Sequence, residues 1–180
     1  MNLKPFIATI SLAGLLASPA LAGHDYGGLS AHANFHDNEG NAVGEAHMDQ
    51  GPNGVLVTLE IEGLPEGKKA IHIHGKGTCE DHEAGFKDSG GHLNPDGKKH
   101  GLMNEEGPDA GDFNNFYVHD NGYGWAELFN PRASLDGSYG AKILDEDGAA
   151  LVIHENPDNH VDQPIGGAGS RIACAVIEPH

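Results

Sequence analysis

Residues 53–64, NGVLVTLEIEGL, place Val55, Val57, Leu59 and Ile61 on one side of an extended chain and Leu56, Thr58, Glu60 and Glu62 on the other. A period of two is the mark of a strand with one face in a core and one toward water. Such a strand needs partners, and seven further segments offer them. GLSAHANFHD (28–37) and AVGEAHMD (42–49) flank the turn NEGN, and KAIHIH occupies 69–74. FNNFYVHD (113–120) and YGWAELF (123–129) flank Asn121-Gly122, a favoured hairpin pair. AALVIHE (149–155) and RIACAVIE (171–178) complete the set. The 27 glycines punctuate the chain too often for long helices, and no segment keeps a helical period. Eight short strands with turn signals between them predict an all-β sandwich or barrel. Residues 75–112 and 155–170 lack strand character and predict two long loops, each with a function or a pin.

The first 22 residues have a different character. Lys4 precedes a mostly apolar stretch over 5–17, and Ala20-Leu21-Ala22 forms a small-residue cleavage site. This is the pattern of a secretory signal peptide, too short and wrongly flanked for a membrane anchor. Cleavage after Ala22 is expected, leaving 23–180 as a single exported domain. A formal charge of −17 argues against nucleic acid or an anionic membrane as partner, since both require basic patches. The two cysteines, Cys79 and Cys174, are an even and minimal pair, which in an exported chain reads as one disulfide. It would close a loop of roughly 95 residues and contribute somewhat under ~5 kcal/mol.

Thirteen histidines are far above ordinary usage, and their placement matters more than their number. In the strand IHIH, His72 and His74 point to one face while Ile71 and Ile73 point to the other. Two imidazoles converging from one face are half of a metal site. The chain then reads, in order, Cys79, GGHLNP (90–95), KHG (99–101), DAGD (109–112), VIHE (152–155) and GSRIACAVI (169–177). From about residue 28 to 178 this series resembles the copper,zinc superoxide dismutase family, specifically its bacterial exported branch. The resemblance implies an eight-stranded Greek-key β-barrel or sandwich with two long functional loops. It implies copper held by His72, His74, His92 and His154, and zinc held by His92, His100 and Asp112, with His92 bridging the two. It also implies a Cys79–Cys174 disulfide and an arginine, Arg171, beside the copper. The implied activity is dismutation of superoxide to dioxygen and hydrogen peroxide, with His92 leaving Cu(I) to carry a proton.

The chemistry asks for these residue types on its own account. Imidazole suits copper in both oxidation states, and a permanently cationic guanidinium suits a small anionic substrate. One position departs from the family pattern: Asp109 stands where most members have a third zinc histidine. A carboxylate is a legitimate zinc ligand, so a set of His92, His100, Asp109 and Asp112 is expected. Weak zinc occupancy and a copper-only enzyme remain the alternatives. The other function class on this scaffold is a non-catalytic protein that binds or delivers copper or zinc. Four copper histidines together with Arg171 favour the enzyme. His32, His36, His47, His82, His119, His160 and His180 match no ligand position and read as solvated strand or loop residues. Homodimer and monomer stay equally open.

Overall fold

A computed structural model describes residues 28–180; the expected signal peptide lies outside the described residues. Eleven strands are formed: β1 (Ser30–Asp37), β2 (Ala42–Gly51), β3 (Gly54–Ile61), β4 (Gly67–Lys69), β5 (Ile71–His74) and β6 (Phe116–Val118), then β7 (Gly124–Asn130), β8 (Ala133–Ser134), β9 (Ala141–Lys142), β10 (Ala150–His154) and β11 (Arg171–Pro179). Among the described residues there is no α-helix, only two single 3₁₀ turns at His82–Ala84 and Lys87–Ser89.

Nine strands make one antiparallel sheet in the order β4-β6-β7-β3-β2-β1-β11-β10-β5. Its two edge strands, β4 and β5, are separated in sequence by Ala70 alone. One short segment therefore pairs with β6 at its start and with β10 at its end, curling the sheet into a barrel-like Greek key. Counting that segment as one strand recovers the eight expected strands. What the sequence did not announce is the pair β8 and β9, two residues each and parallel, within the connection from β7 to β10.

The core follows from the alternation. Val55, Val57, Leu59 and Ile61 are fully buried, together with Ala31, Ala33 and Phe35 from β1 and Leu151 and Ile153 from β10. Burying a side chain of this kind fully is worth about 1.5–3 kcal/mol. Among the strands of the main sheet, β5 and β10 are buried at every position. Ile71 and Ile73 enter the barrel core, while His72 and His74 are covered from outside by the long loops. The loop after β5 is pinned by the Cys79–Cys174 disulfide and by Phe86, which packs with Ala150, Val152 and Cys174 on the outer face of the sheet.

Candidate metal centre

The strand pairing that closes the barrel also assembles the histidines. His72 lies opposite Val152 and His74 opposite Ala150, so β5 delivers two imidazoles beside the strand that ends in His154. His92 arrives on a loop that runs along β5: Gly75 N–H donates to Gly91 O at 3.0 Å, and Leu93 N–H to Ile73 O at 2.8 Å. On the far side Ile73 N–H donates to Gly111 O at 2.9 Å, which seats the turn carrying Asp109 and Asp112. Gly111 has to be glycine, because a Cβ there would lie 2.4 Å from Ile73 O. The ligating nitrogens of His72, His74 and His154 fall within 4.8 Å of one another, and so do single ligand atoms of His92, His100, Asp109 and Asp112. His92 stands between the groups, its ring 4.1 Å from His72, 5.4 Å from His74 and 5.1 Å from His100.

Each imidazole has one nitrogen anchored and the other bare. His72 Nε2 donates to Asp158 Oδ2 (3.1 Å), His74 Nδ1 to Gly90 O (2.9 Å) and His154 Nδ1 to Gly169 O (3.2 Å). His92 Nδ1 is 3.0 Å from Asp109 Oδ2. The opposite nitrogens, His72 Nδ1, His74 Nε2, His92 Nε2 and His154 Nε2, are buried and have no hydrogen-bond partner. Four buried nitrogens without a partner, three of them converging and His92 beside His72, carry a substantial desolvation cost unless something fills the space they face. Anchoring one nitrogen of a histidine is also how metal sites fix the tautomer and aim the ring.

Electrostatics divides the two halves. On the all-histidine side, burial pushes His72 down to about 4 and His154 to about 3, and holds His74 well below its usual range. Those rings are neutral and present lone pairs. On the carboxylate side, burial is outweighed by Asp112 and Asp158, which raise His100 to about 10. Asp109 and Asp112 likewise raise His92 against its burial. His100 and His92 hold Asp112 well below the usual carboxylate range, although burial opposes this. This half demands positive charge, which a proton or a divalent ion can supply. His100 Nδ1 and Asp112 Oδ1 approach to 2.6 Å, yet neither atom has a partner of hydrogen-bond geometry. An imidazole nitrogen and a carboxylate oxygen pressed together in this way suit a shared cation, a proton or a metal ion. The donor set, two imidazoles and two carboxylates, fits zinc.

Three supporting residues escaped the sequence reading. Asp158 joins the halves: Oδ2 accepts from His72 and Oδ1 accepts from His100 Nε2 at 3.1 Å. Gly166 gives it room, since a Cβ there would lie 1.7 Å from Asp158 Oδ1. Arg132 and Asn130, leaving β7, clamp the acidic turn by its carbonyls: Arg132 Nε donates to Asp109 O (3.0 Å) and Asn130 Nδ2 to Ala110 O (2.8 Å). Nothing in the local sequence around these positions separates them from ordinary surface residues. His160, expected in solvent, instead brings Nδ1 to 3.4 Å from Asp158 Oδ2. Replacing Asp158 by leucine is expected to weaken metal retention about 10–100-fold, the usual effect of removing a group that orients a ligand. Chelator competition on the metal-loaded variant measures it.

The remaining expected residue, Arg171, is half-buried at the start of β11, opposite His154 in the register. Its guanidinium donates to the carbonyls of Phe86 and Gly90 and to Ser89 Oγ. Gly90 O thus accepts from both His74 and Arg171, tying the arginine to the histidine cluster. Arg171, Lys98, His74 and His92 line one cleft of about 320 Å³.

Comparison with known proteins gives one consistent result. Residues 42–177 match the model of the family described as copper/zinc superoxide dismutase. The chain is 44% identical over 150 residues to "Superoxide dismutase [Cu-Zn] 2" of Aquifex aeolicus, covering 83% of this chain and 86% of the relative. It is 42% identical over 151 residues to "Superoxide dismutase [Cu-Zn]" of Caulobacter vibrioides, with coverage of 83% and 86%. The crystal structure of a SOD-like protein from Bacillus subtilis superposes with a TM-score of 0.76 at 34% identity, over 81% of this chain and 96% of that one. The Cu/Zn superoxide dismutase of Brucella abortus gives 0.66 at 25% identity, over 83% and 99%.

Proposed function

The chain belongs to the copper/zinc superoxide dismutase family, and on that premise we propose that its four bare imidazole nitrogens hold the copper of a working enzyme. The ligands are His72, His74, His92 and His154 for copper, and His92, His100, Asp109 and Asp112 for zinc. The observation that carries this reading is the pairing of one anchored and one orphaned nitrogen on all four copper histidines. The activity is dismutation of superoxide to dioxygen and hydrogen peroxide. Copper held there would supply the one-electron oxidation and reduction chemistry that dismutation needs.

The protein's own residues do the rest. Arg171 holds a permanent positive charge at the cleft, fixed by the loop carbonyls so that it need not reorganise when the anion arrives. Lys98 adds a second cation in the same cleft. Against a chain charge of −17, these two make the cleft a local exception that draws an anion in. His92 carries a proton on Nε2 for the departing peroxide, while Asp109 and Asp112 keep its ring in place from the other nitrogen. A protein that only stored copper would have no use for a guanidinium beside the histidines, which favours turnover.

Replacing Arg171 by methionine is expected to lower the second-order rate of superoxide decay by about 10²-fold or more, as loss of one preorganised electrostatic donor does elsewhere. The salt dependence should flatten as well, which stopped-flow measurements from low to high ionic strength would reveal. A rate unchanged from wild type would remove Arg171 from the mechanism.

Asp109 takes the place of a zinc histidine. It is 2% exposed, Gly111 N–H donates to its Oδ1 at 2.9 Å, and its Oδ2 faces His92. Asp109→Ala is expected to lower zinc affinity at least ~10-fold and Asp109→His to retain it, read by competition with a chromophoric chelator. Equal affinity in wild type and Asp109→Ala would mean that zinc, if bound, does not use this carboxylate.

The bacterial relatives and the disulfide suit an oxidising compartment. The periplasm is the proposed location, reached through a signal peptide cleaved after Ala22, with 23–180 as one domain. Among the described residues no helix is long and apolar enough to cross a membrane.

A further inference from the structure

A second group of histidines lies on the outward face of β1, β2 and β11. Alternation sends Ala31, Ala33, Ala46, Met48 and Ile177 into the core, so Ser30, His32, His47, Asp49 and Glu178 face away from it. The register sets His32 between His47 on β2 and Glu178 on β11, and sets Ser30 beside Asp49. His180 N–H donates to Ser30 O at 3.1 Å, extending the same row. The result is a small grid of two rows: His47, His32, Glu178 and Asp49, Ser30, His180. Adjacent strands stand about 4.8 Å apart, within reach of a shared ligand.

The rings are gathered but not yet converged: unlike those of His72, His74 and His154, their ligand atoms do not all lie within 4.8 Å of one another. The His180 ring is 5.9 Å from His32 and 6.0 Å from His47, at interplanar angles of 77° and 88°. Rings of the copper set are spaced similarly, His72 to His154 at 5.0 Å and His74 to His154 at 5.8 Å. Each strand histidine already has a carboxylate on one nitrogen: His47 Nε2 is 3.2 Å from Asp49 Oδ1, and His32 Nε2 is 3.6 Å from Glu178 Oε2. That leaves Nδ1 available, and His32 Nδ1 is buried without a hydrogen-bond partner. β1, β2 and β3 contain no lysine or arginine. Arg171 sits at the other end of β11, nine residues from His180 and therefore roughly 30 Å away along the strand. The neighbouring cross-strand pair is Glu45 and Glu60, which extends the negative face.

We propose that His32, His47 and His180, supported by Asp49 and Glu178, form a second metal site for a borderline divalent ion of the zinc and copper(II) class, separate from the copper–zinc centre. Three imidazoles select that class over magnesium or calcium, which require oxygen ligands. The rings are partly exposed, so the ion reaches them from solvent, with Glu178 beside the far nitrogen of His32 and Asp49 beside that of His47.

The test uses the ¹⁵N-labelled enzyme with its copper–zinc centre already filled. One further equivalent of Cu(II) is expected to broaden the amide signals of 31–33, 46–48 and 178–180 before any others. Calorimetry with Zn²⁺ is expected to show one added equivalent. The double variant His32→Gln/His180→Gln should lose both effects, weakening the added ion about 10–100-fold or more, with the superoxide decay rate unchanged. Broadening spread over the acidic surface, or equal affinity in the variant, overturns the proposal. Because the readout is located at the grid, either result leaves the reading of the copper–zinc centre standing.

Discussion

His154→Ala is expected to reduce superoxide decay at least ~10³-fold, from a starting value near the diffusional ceiling that enzymes of this family reach, about 10⁸–10⁹ M⁻¹s⁻¹. The side chain is 1% exposed, and its Nδ1 is fixed by Gly169 O, so Nε2 has one orientation. Burial and the neighbouring His72 keep the ring neutral, its pKa held down to about 3. Alanine removes one of the three converging nitrogens of His72, His74 and His154, so copper would lose both affinity and a defined geometry. Copper content after dialysis should fall with activity. Zinc content should not, because neither nitrogen of His154 takes part in the carboxylate group. Substantial turnover by a copper-loaded His154→Ala protein would show that the four-histidine set is not the redox site.

The second large effect concerns stability and activity together. Cys79 and Cys174 are joined across a separation of 95 residues. Removing such a link typically costs 2–5 kcal/mol. At about 2–4 °C per kcal/mol for a chain of this size, the Cys79→Ser/Cys174→Ser protein should melt about 4–20 °C lower. The rate should fall too, and for a separate reason. The loop held by Cys79 is the one whose Phe86 and Gly90 carbonyls grip Arg171. Freed from the sheet, that loop no longer fixes the guanidinium beside the copper histidines. Thermal unfolding with and without reductant, with superoxide decay measured on the same samples, tests both parts. A melting temperature that does not change would contradict the first, and an unchanged rate the second.

How far these features could be read in advance depends on whether the signal is local. The alternation of Val55, Val57, Leu59 and Ile61 is written in adjacent residues, and the strand it predicts is buried on that face. The same period put His72 and His74 on one face, and both are buried opposite Ile71 and Ile73. Motif order supplied His92, His100, Asp112, His154 and Arg171 as expectations, and the fold brings all of them to one cluster or its edge. Asp158 could not be found this way. It is one of 27 acidic residues, and only the tertiary meeting of the 155–170 loop with His72 and His100 singles it out. Arg132 and Asn130 act through backbone carbonyls of the acidic turn, contacts that leave no pattern in sequence. β8 and β9 are too short for alternation to register at all. His32, His47 and His180 read as solvent residues one at a time, because sequence gives no hint that β11 pairs with β1 on the side away from β2.

The central claim is that the bare nitrogens of His72, His74, His92 and His154 hold a turning-over copper. Stopped-flow decay of superoxide by the mature protein, loaded with copper and zinc and with its metal content verified, tests it most directly. A second-order rate of about 10⁸–10⁹ M⁻¹s⁻¹ is the predicted result, and it would also show that Asp109 does not disable the centre. Decay no faster than buffer, with copper bound, would contradict the claim and make the protein a metal-binding member of its family.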